Sequence, residues 1–173
     1  MTLNSNWGWH AGDTHWKTAG DVIETLLNCA SKGGNLLLNV GPLPDGTIPL
    51  ESVRILRETG AWLARNRAFL PNSDRHALSW NNTCQITTRG PFVYLHFHQQ
   101  PGTEFCWAEL KNRVRSARFL NGEQKVEFYQ EGPRLWLRNL PVPLPDHPVT
   151  TIVLEVEGTP EPVTATTTFW IPN

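Results

Sequence analysis

Within one short stretch, positions 4 to 17, the chain carries Trp7, Trp9, His10, Asp13, His15 and Trp16. Indole rings stack on the apolar faces of sugars, and imidazole and carboxylate groups bind hydroxyls, so this composition suits the rim of a carbohydrate pocket. The opposing reading is a surface loop whose tryptophans pack on neighbouring loops. His10, Asp13 and His15 also offer the donor types that ligate zinc, but their spacing follows no metal motif, and no metal is expected. Asp45 lies in a second turn-rich stretch, Gly41-Pro42-Leu43-Pro44-Asp45-Gly46. A retaining glycosidase needs two carboxyl groups about 5 Å apart. Asp13 and Asp45 are candidates for such a pair, and nothing in the sequence says that they meet. His96 and His98 sit two apart on a predicted strand and so share a face. That geometry suits a metal, but alternation with Val93, Leu95 and Phe97 predicts that both histidines face water. There is no Gly-x-Ser-x-Gly elbow and no phosphate-binding glycine loop, and no cofactor is expected.

The elements that must position these residues fall into two kinds. Residues 1 to about 70 read as α/β. Thr18 and Asp21 have the spacing of a helix-capping pair, and Val22, Ile23, Leu26, Leu27 and Ala30 then fall on one helical face. Gly33-Gly34 ends that helix. Asn35-Leu36-Leu37-Leu38-Asn39-Val40 is a short apolar run without alternation, which predicts a parallel strand buried on both faces. Pro49 suits the first position of a second helix, whose buried stripe is predicted to be Val53, Leu56, Gly60 and Leu63. Arg54 and Glu58 are spaced to pair across one turn.

From about residue 75 to 173 the pattern is β. Thr83–Arg89, Phe92–His98, Thr103–Leu110, Val114–Leu120, Val126–Tyr129, Leu135–Leu137 and Thr151–Val156 are short runs separated by turn signals, among them Asn121-Gly122. Such spacing predicts an antiparallel sandwich. The fold class is therefore α/β followed by all-β. Two βα units cannot close a barrel or make a substantial parallel sheet, so the first part is expected to be incomplete.

Bulk properties narrow the function classes. The chain has 173 residues and a net charge of −1 with mixed signs, which offers no footprint for nucleic acid or an anionic membrane. No apolar run approaches the roughly 20 residues of a membrane span, and the first residues lack the basic and apolar regions of a signal peptide. A soluble protein is expected, of unassigned compartment. Asn81-Asn82-Thr83 is a glycosylation sequon, relevant only in a eukaryotic secretory pathway. The three cysteines, Cys29, Cys84 and Cys106, form no C-x-x-C pair and are expected to be buried thiols. Eight tryptophans fit a carbohydrate protein and a large core equally.

Three stretches carry a more specific signal. They are Met1-Thr2-Leu3-Asn4-Ser5-Asn6-Trp7-Gly8-Trp9, Ser31-Lys32-Gly33-Gly34-Asn35-Leu36-Leu37-Leu38-Asn39-Val40-Gly41-Pro42, and Asp45-Gly46-Thr47-Ile48-Pro49 with Gly60-Ala61-Trp62-Leu63 beyond it. Together they resemble the junction between the (β/α)8 barrel and the C-terminal β-sandwich of family-29 α-L-fucosidases. The resemblance implies that residues 1–70 are the last two βα units of a barrel and residues 75–173 the sandwich. Residues 1–5 and 35–40 would be strands seven and eight, and residues 18–31 and 49–66 their helices. It further implies that the loops at Asn4–Lys17 and Gly41–Thr47 lie on the active face, where barrel enzymes build their sites. Trp7, Trp9, His10, Asp13, His15 and Asp45 then become candidate sugar-contacting residues. The nucleophile and acid/base of that family fall in segments that nothing in this chain resembles, so Met1 is expected to be an internal methionine or a start created by truncation.

Three functions follow as expectations. The first is a truncated fucosidase-like hydrolase without its catalytic carboxylates, inactive alone. The second is a module that binds carbohydrate or assembles, favoured if the sandwich presents a tryptophan-lined face. The third is an oligomer with a new hydrolase activity. In each case a homo-oligomer through residues 1–66 is expected.

Overall fold

The computed structural model describes residues 1–69, 83–122 and 124–163. The expected junction between the two parts and Asn81 of the sequon lie outside these residues.

The first helix, α1, spans Ala19–Ser31 and starts as its sequence requires. The Thr18 side chain accepts from the Asp21 backbone N–H at 3.1 Å, and the Asp21 carboxylate accepts from the Thr18 N–H at 2.7 Å. Two of the N–H groups left open by the first turn are thereby satisfied. At the other end Gly33 takes φ 70°, and the N–H groups of Gly33 and Gly34 return to Ala30 and Cys29. That left-handed turn is open to glycine at little steric cost.

The second helix, α2, spans Leu50–Arg65 with Pro49 just before it, and Arg54 pairs with Glu58 at 2.9 Å. Its buried face is Ser52, Ile55, Thr59 and Trp62. The stripe expected from Val53, Leu56, Gly60 and Leu63 is thus one position out of phase. The reason is Trp62, whose ring packs with Ile23 and Leu27 of α1 and whose indole N–H donates to the Val149 carbonyl at 2.8 Å. One large side chain with a buried polar partner outweighs the aliphatic set.

The run expected as a strand, residues 35–40, does not form a regular strand. Its one bridge is parallel, Thr2 to Asn39, with the Asn39 N–H on the Met1 carbonyl at 2.9 Å. Leu37 is 75% exposed, against the expectation of burial on both faces. A parallel strand is covered only when strands flank it and helices lie over it. Here one neighbouring segment pairs with it among the described residues. Leu3, Val22 and Ile55, with Trp16, Leu38 and Val40 against them, make a small apolar core between this pair and the helices.

Seven antiparallel strands follow: β1 Cys84–Arg89, β2 Phe92–Phe97, β3 Phe105–Trp107, β4 Val114–Phe119, β5 Glu127–Glu131, β6 Arg134–Arg138 and β7 Thr150–Val156. They form a four-stranded sheet in the order β1-β2-β7-β4 and a three-stranded sheet in the order β3-β6-β5. All the predicted runs appear: β1 to β4 are shorter than expected, β5 starts one residue later and runs on to Glu131, and β6 and β7 extend beyond the predicted ends. At Asn121-Gly122 the chain reverses with Gly122 at φ 82°, and the Phe119 N–H reaches the Gln124 carbonyl. The main core lies between the sheets, with Val93, Leu95 and Phe97 facing Phe105, Leu135 and Leu137.

The outer face of the four-stranded sheet is covered too. Tyr94 and Val153 pack against Ile23, Leu27 and Trp62 of the helices. This overturns the expectation that His96 faces water, since His96 is fully buried. Its ring lies 2.9 Å from the Thr87 hydroxyl and 3.0 Å from the Thr151 hydroxyl. His98, at the strand end, contacts Gln85 at 3.1 Å and Glu24 of α1 at 3.7 Å. Neither histidine is placed to share a metal. Of the three thiols only Cys84 is buried; Cys29 is half-buried and Cys106 exposed, which corrects the expectation for both. Among the described residues no helix is long and apolar enough to cross a membrane.

Burial pushes the His96 imidazole down to about 3. The unfolded chain protonates this residue near 6.5. Between those two pH values the unfolded state holds a proton that the folded state refuses. Stability is therefore retained above about 6.5 and falls with acidification, by roughly 1.4 kcal/mol per pH unit. Urea midpoints measured from pH 7 to 4 are expected to show this slope, and His96→Gln is expected to flatten it by about one proton. An unchanged slope in the variant refutes the assignment.

Candidate functional site

The loop at residues 4–17 is closed by its own backbone: the Lys17 N–H donates to the Leu3 carbonyl at 2.8 Å, and Lys17 Nζ reaches the Asn4 carbonyl at 3.2 Å. Inside the loop Asp13 is the anchor. Its Oδ2 accepts from the N–H groups of Ser5 at 2.9 Å and Asn6 at 3.1 Å and from Asn6 Nδ2 at 2.9 Å. Its Oδ1 accepts from the His15 N–H at 3.2 Å. The side chain is only 3% exposed. Burial opposes its ionisation, but the hydrogen bonds from Asn6, His15 and Ser5 outweigh burial and hold the carboxyl below the usual aspartate range.

The second loop is built in the same way on a smaller scale. Asp45 Oδ1 accepts from the Thr47 N–H at 2.9 Å and the Thr47 hydroxyl at 2.7 Å, and these bonds lower its pKa. Gly46 takes φ 86° at the tip. Both aspartates are therefore turn-forming carboxylates, a role that aspartate fills readily because its short side chain reaches nearby N–H groups.

Gly41 joins the two loops. A Cβ there would lie 2.6 Å from the Trp9 nitrogen and 2.7 Å from the Gly8 carbonyl carbon. The obstruction is backbone and cannot rotate away. Gly41→Ala is expected to destabilise the protein by about 1–3 kcal/mol, as overpacking does, and to shift the denaturant midpoint accordingly. Gly8, which has nothing within 4 Å of a Cβ, is the control. Equal midpoints for the two alanine variants would show that the loops are not wedged together.

A hollow of about 350 Å³ opens beside this junction. Trp9, His10, Asp13 and Trp16 line it from the first loop, Leu43 from the second, and Glu51 from the first turn of α2. Of the candidate residues, Trp9, His10 and Asp13 are thus brought together. Trp7 stands 61% exposed away from it, and His15 and Asp45 lie outside its lining. Glu51 escaped the sequence reading; its position just after the predicted loop, at a helix start, was the available signal. The His10 ring accepts from the Gly12 N–H at 3.2 Å. The His15 ring nitrogen stands 4.0 Å from Asp13 Oδ1, but among the described residues no group of three such side chains is placed to hold a metal. What the hollow offers is two indole surfaces, an imidazole and a carboxylate rim. That is chemistry for binding a small polyol with one apolar face.

The α-L-fucosidase family pattern matches residues 1–68, which contain both loops and both helices. Plasma α-L-fucosidase of Rattus norvegicus is 38% identical over 154 residues, covering 82% of this chain. The α-L-fucosidase isoenzyme 1 of Paenibacillus thiaminolyticus superposes on 91% of the chain with a TM-score of 0.83 at 34% identity. The chain is related to the family-29 α-L-fucosidases. The matched region of this fucosidase-like chain spans 31% of the rat enzyme and 39% of the Paenibacillus chain. A third relative, the Homo sapiens plasma enzyme, is 39% identical over 69 residues, 38% of this chain and 15% of that enzyme. The fold of the fucosidase-like chain is accordingly the last two βα units of a (β/α)8 barrel followed by an antiparallel β-sandwich.

Proposed function

We propose that this chain forms one wall of an α-L-fucoside-binding site, through the hollow between its two βα loops, and does not hydrolyse fucosides by itself. The observation that carries the reading is the convergence of Trp9, His10 and Trp16 on one hollow, within the stretch that matches the fucosidase family. Barrel enzymes place their sites on such loops. In this reading residues 1–70 act as a barrel portion and residues 75–173 as a sandwich that supports it. Trp9 and Trp16 supply stacking surface, and His10 supplies a hydrogen-bonding group at the edge. Asp13 fixes the loop and takes no part in proton transfer, because its oxygens are occupied. Glycoside hydrolysis in this fold then needs carboxyl groups from outside this chain.

The test is saturation-transfer NMR with L-fucose. Transfer to the sugar is expected for the wild-type protein, and Trp9→Ala is expected to weaken binding about fivefold, since removing a stacked ring costs on the order of 1 kcal/mol. No transfer to fucose at millimolar concentration, or equal transfer in the variant, would reject the reading.

A further inference from the structure

The two sheets differ in what covers their outer faces. The helices pack on the outer face of the four-stranded sheet, whereas among the described residues the outer face of the three-stranded sheet is exposed or half-buried. Across it the register places Cys106, Trp136 and Tyr129 in one row. The Trp136 and Tyr129 rings lie 5.4 Å apart at an angle of 36°, and Tyr129 is 47% exposed. On one side of this row runs a polar row, Glu104, Arg138 and Glu127. There the Arg138 guanidinium stands 3.9 Å from Glu104 and 5.5 Å from the centre of the Tyr129 ring. On the other side Arg134 faces Glu131. Beyond these two a hollow of about 400 Å³ opens against Ala108 and Pro133.

We infer that this face is a second glycan-binding surface, which takes neutral oligosaccharides by stacking on Trp136 and Tyr129. A pyranose has an apolar face and a rim of hydroxyls. An aromatic row between two rows of guanidinium and carboxylate groups matches both features. Charge balance selects a neutral ligand: three carboxylates, Glu104, Glu127 and Glu131, stand against two guanidiniums, Arg134 and Arg138. Size separates a glycan from a protein. Three strands about 4.8 Å apart and five residues long at about 3.4 Å give roughly 250 Å². A stable protein interface needs about 800 Å² per partner. One or two sugar rings fill the row. The surface stands apart from the barrel-loop hollow and does not depend on the fucoside reading.

The experiment uses the full chain in saturation-transfer NMR against cellotetraose, xylotetraose, mannotetraose, lactose and 2′-fucosyllactose, with 3′-sialyllactose as the anionic arm. At least one neutral oligosaccharide is expected to bind, and Tyr129→Ala and Trp136→Ala each to weaken it about tenfold. Trp9→Ala is expected to leave it unchanged, which separates this surface from the fucoside hollow. Trp136 is half-buried, so a fold-independent block accompanies the variants. Exposed Cys106 is alkylated with N-ethylmaleimide on a Cys29→Ser background, Cys84 being buried, and is expected to abolish binding. The inference is overturned if no neutral oligosaccharide binds at 10 mM (about the weakest affinity detectable). It is overturned equally if only the sialylated sugar binds, or if binding survives both alkylation and Tyr129→Ala.

Discussion

Purified protein mixed with an aryl α-L-fucoside is expected to release product at least about a thousandfold more slowly than the roughly 1 per second of an ordinary enzyme. Retaining hydrolysis needs one ionised carboxylate as nucleophile and a second carboxyl that is still protonated, about 5 Å away. The two loop aspartates fail the second requirement. Asp13 and Asp45 are both held below the usual aspartate range, so neither keeps a proton near neutral pH. Asp13 fails on access as well, with a side chain only 3% exposed. Glu51 lines the hollow, but a single carboxylate cannot serve as both nucleophile and acid. Losing members of a group that act as a unit costs most of the rate. Asp13→Asn is expected to loosen the loop, because the side-chain NH₂ cannot accept the N–H bonds of Ser5 and Asn6, and to leave the residual rate unchanged. Turnover of about 1 per second or faster, or its loss in Asp13→Asn, would show that this chain recruits its own carboxylates.

Self-association is the second large effect, and residues 1–66 are where it is expected. Among the described residues, six of the nine exposed large apolar side chains lie there: Trp7, Trp9, Leu37, Ile48, Leu50 and Leu56. Leu37 and Leu50 are 75% and 82% exposed. Beside Leu37 the backbone of this run has a neighbour on one side only among the described residues, and an open apolar edge is a template for another chain. Covering a few hundred Å² of such surface contributes several kcal/mol at ~25 cal/mol/Å². A symmetric dimer is the commonest closed solution. Light scattering after size exclusion at micromolar concentration is expected to give a mass above the 19.6 kDa of the single chain. Leu37→Lys is expected to return the protein to monomer, since an unpaired ammonium buried in the contact costs several kcal/mol. Val142→Lys, on the sandwich, is expected to leave the assembly intact. A wild-type monomer refutes the expectation outright. Dissociation by Val142→Lys alone moves the interface to the sandwich.

Local rules carried the sequence a long way in this chain. Thr18 with Asp21, Gly33 with Gly34, and the turn residues between short β runs act through hydrogen bonds and backbone preferences within a few residues. The helix start, the helix stop and the seven strands were therefore legible without a tertiary partner. The joined stretches from Met1 to Leu63 also pointed to the fucosidase family, because an unusual string at matched spacing carries more information than any single element. What sequence left open is which surface covers which. His96 and His98 alternate with apolar residues, and alternation implies water only where nothing lies on the other face; here α1 and α2 lie on it and bury His96. The α2 stripe shifted by one position because Trp62 found a backbone carbonyl 87 residues away. The run at Leu36–Leu38 has the composition of a buried strand, yet burial needs neighbouring strands that composition cannot provide. Asp13 and Asp45 read as possible catalytic groups by residue type alone. Their roles were decided by the N–H groups that each loop turned toward them, and the folded positions of those donors are not written in the spacing.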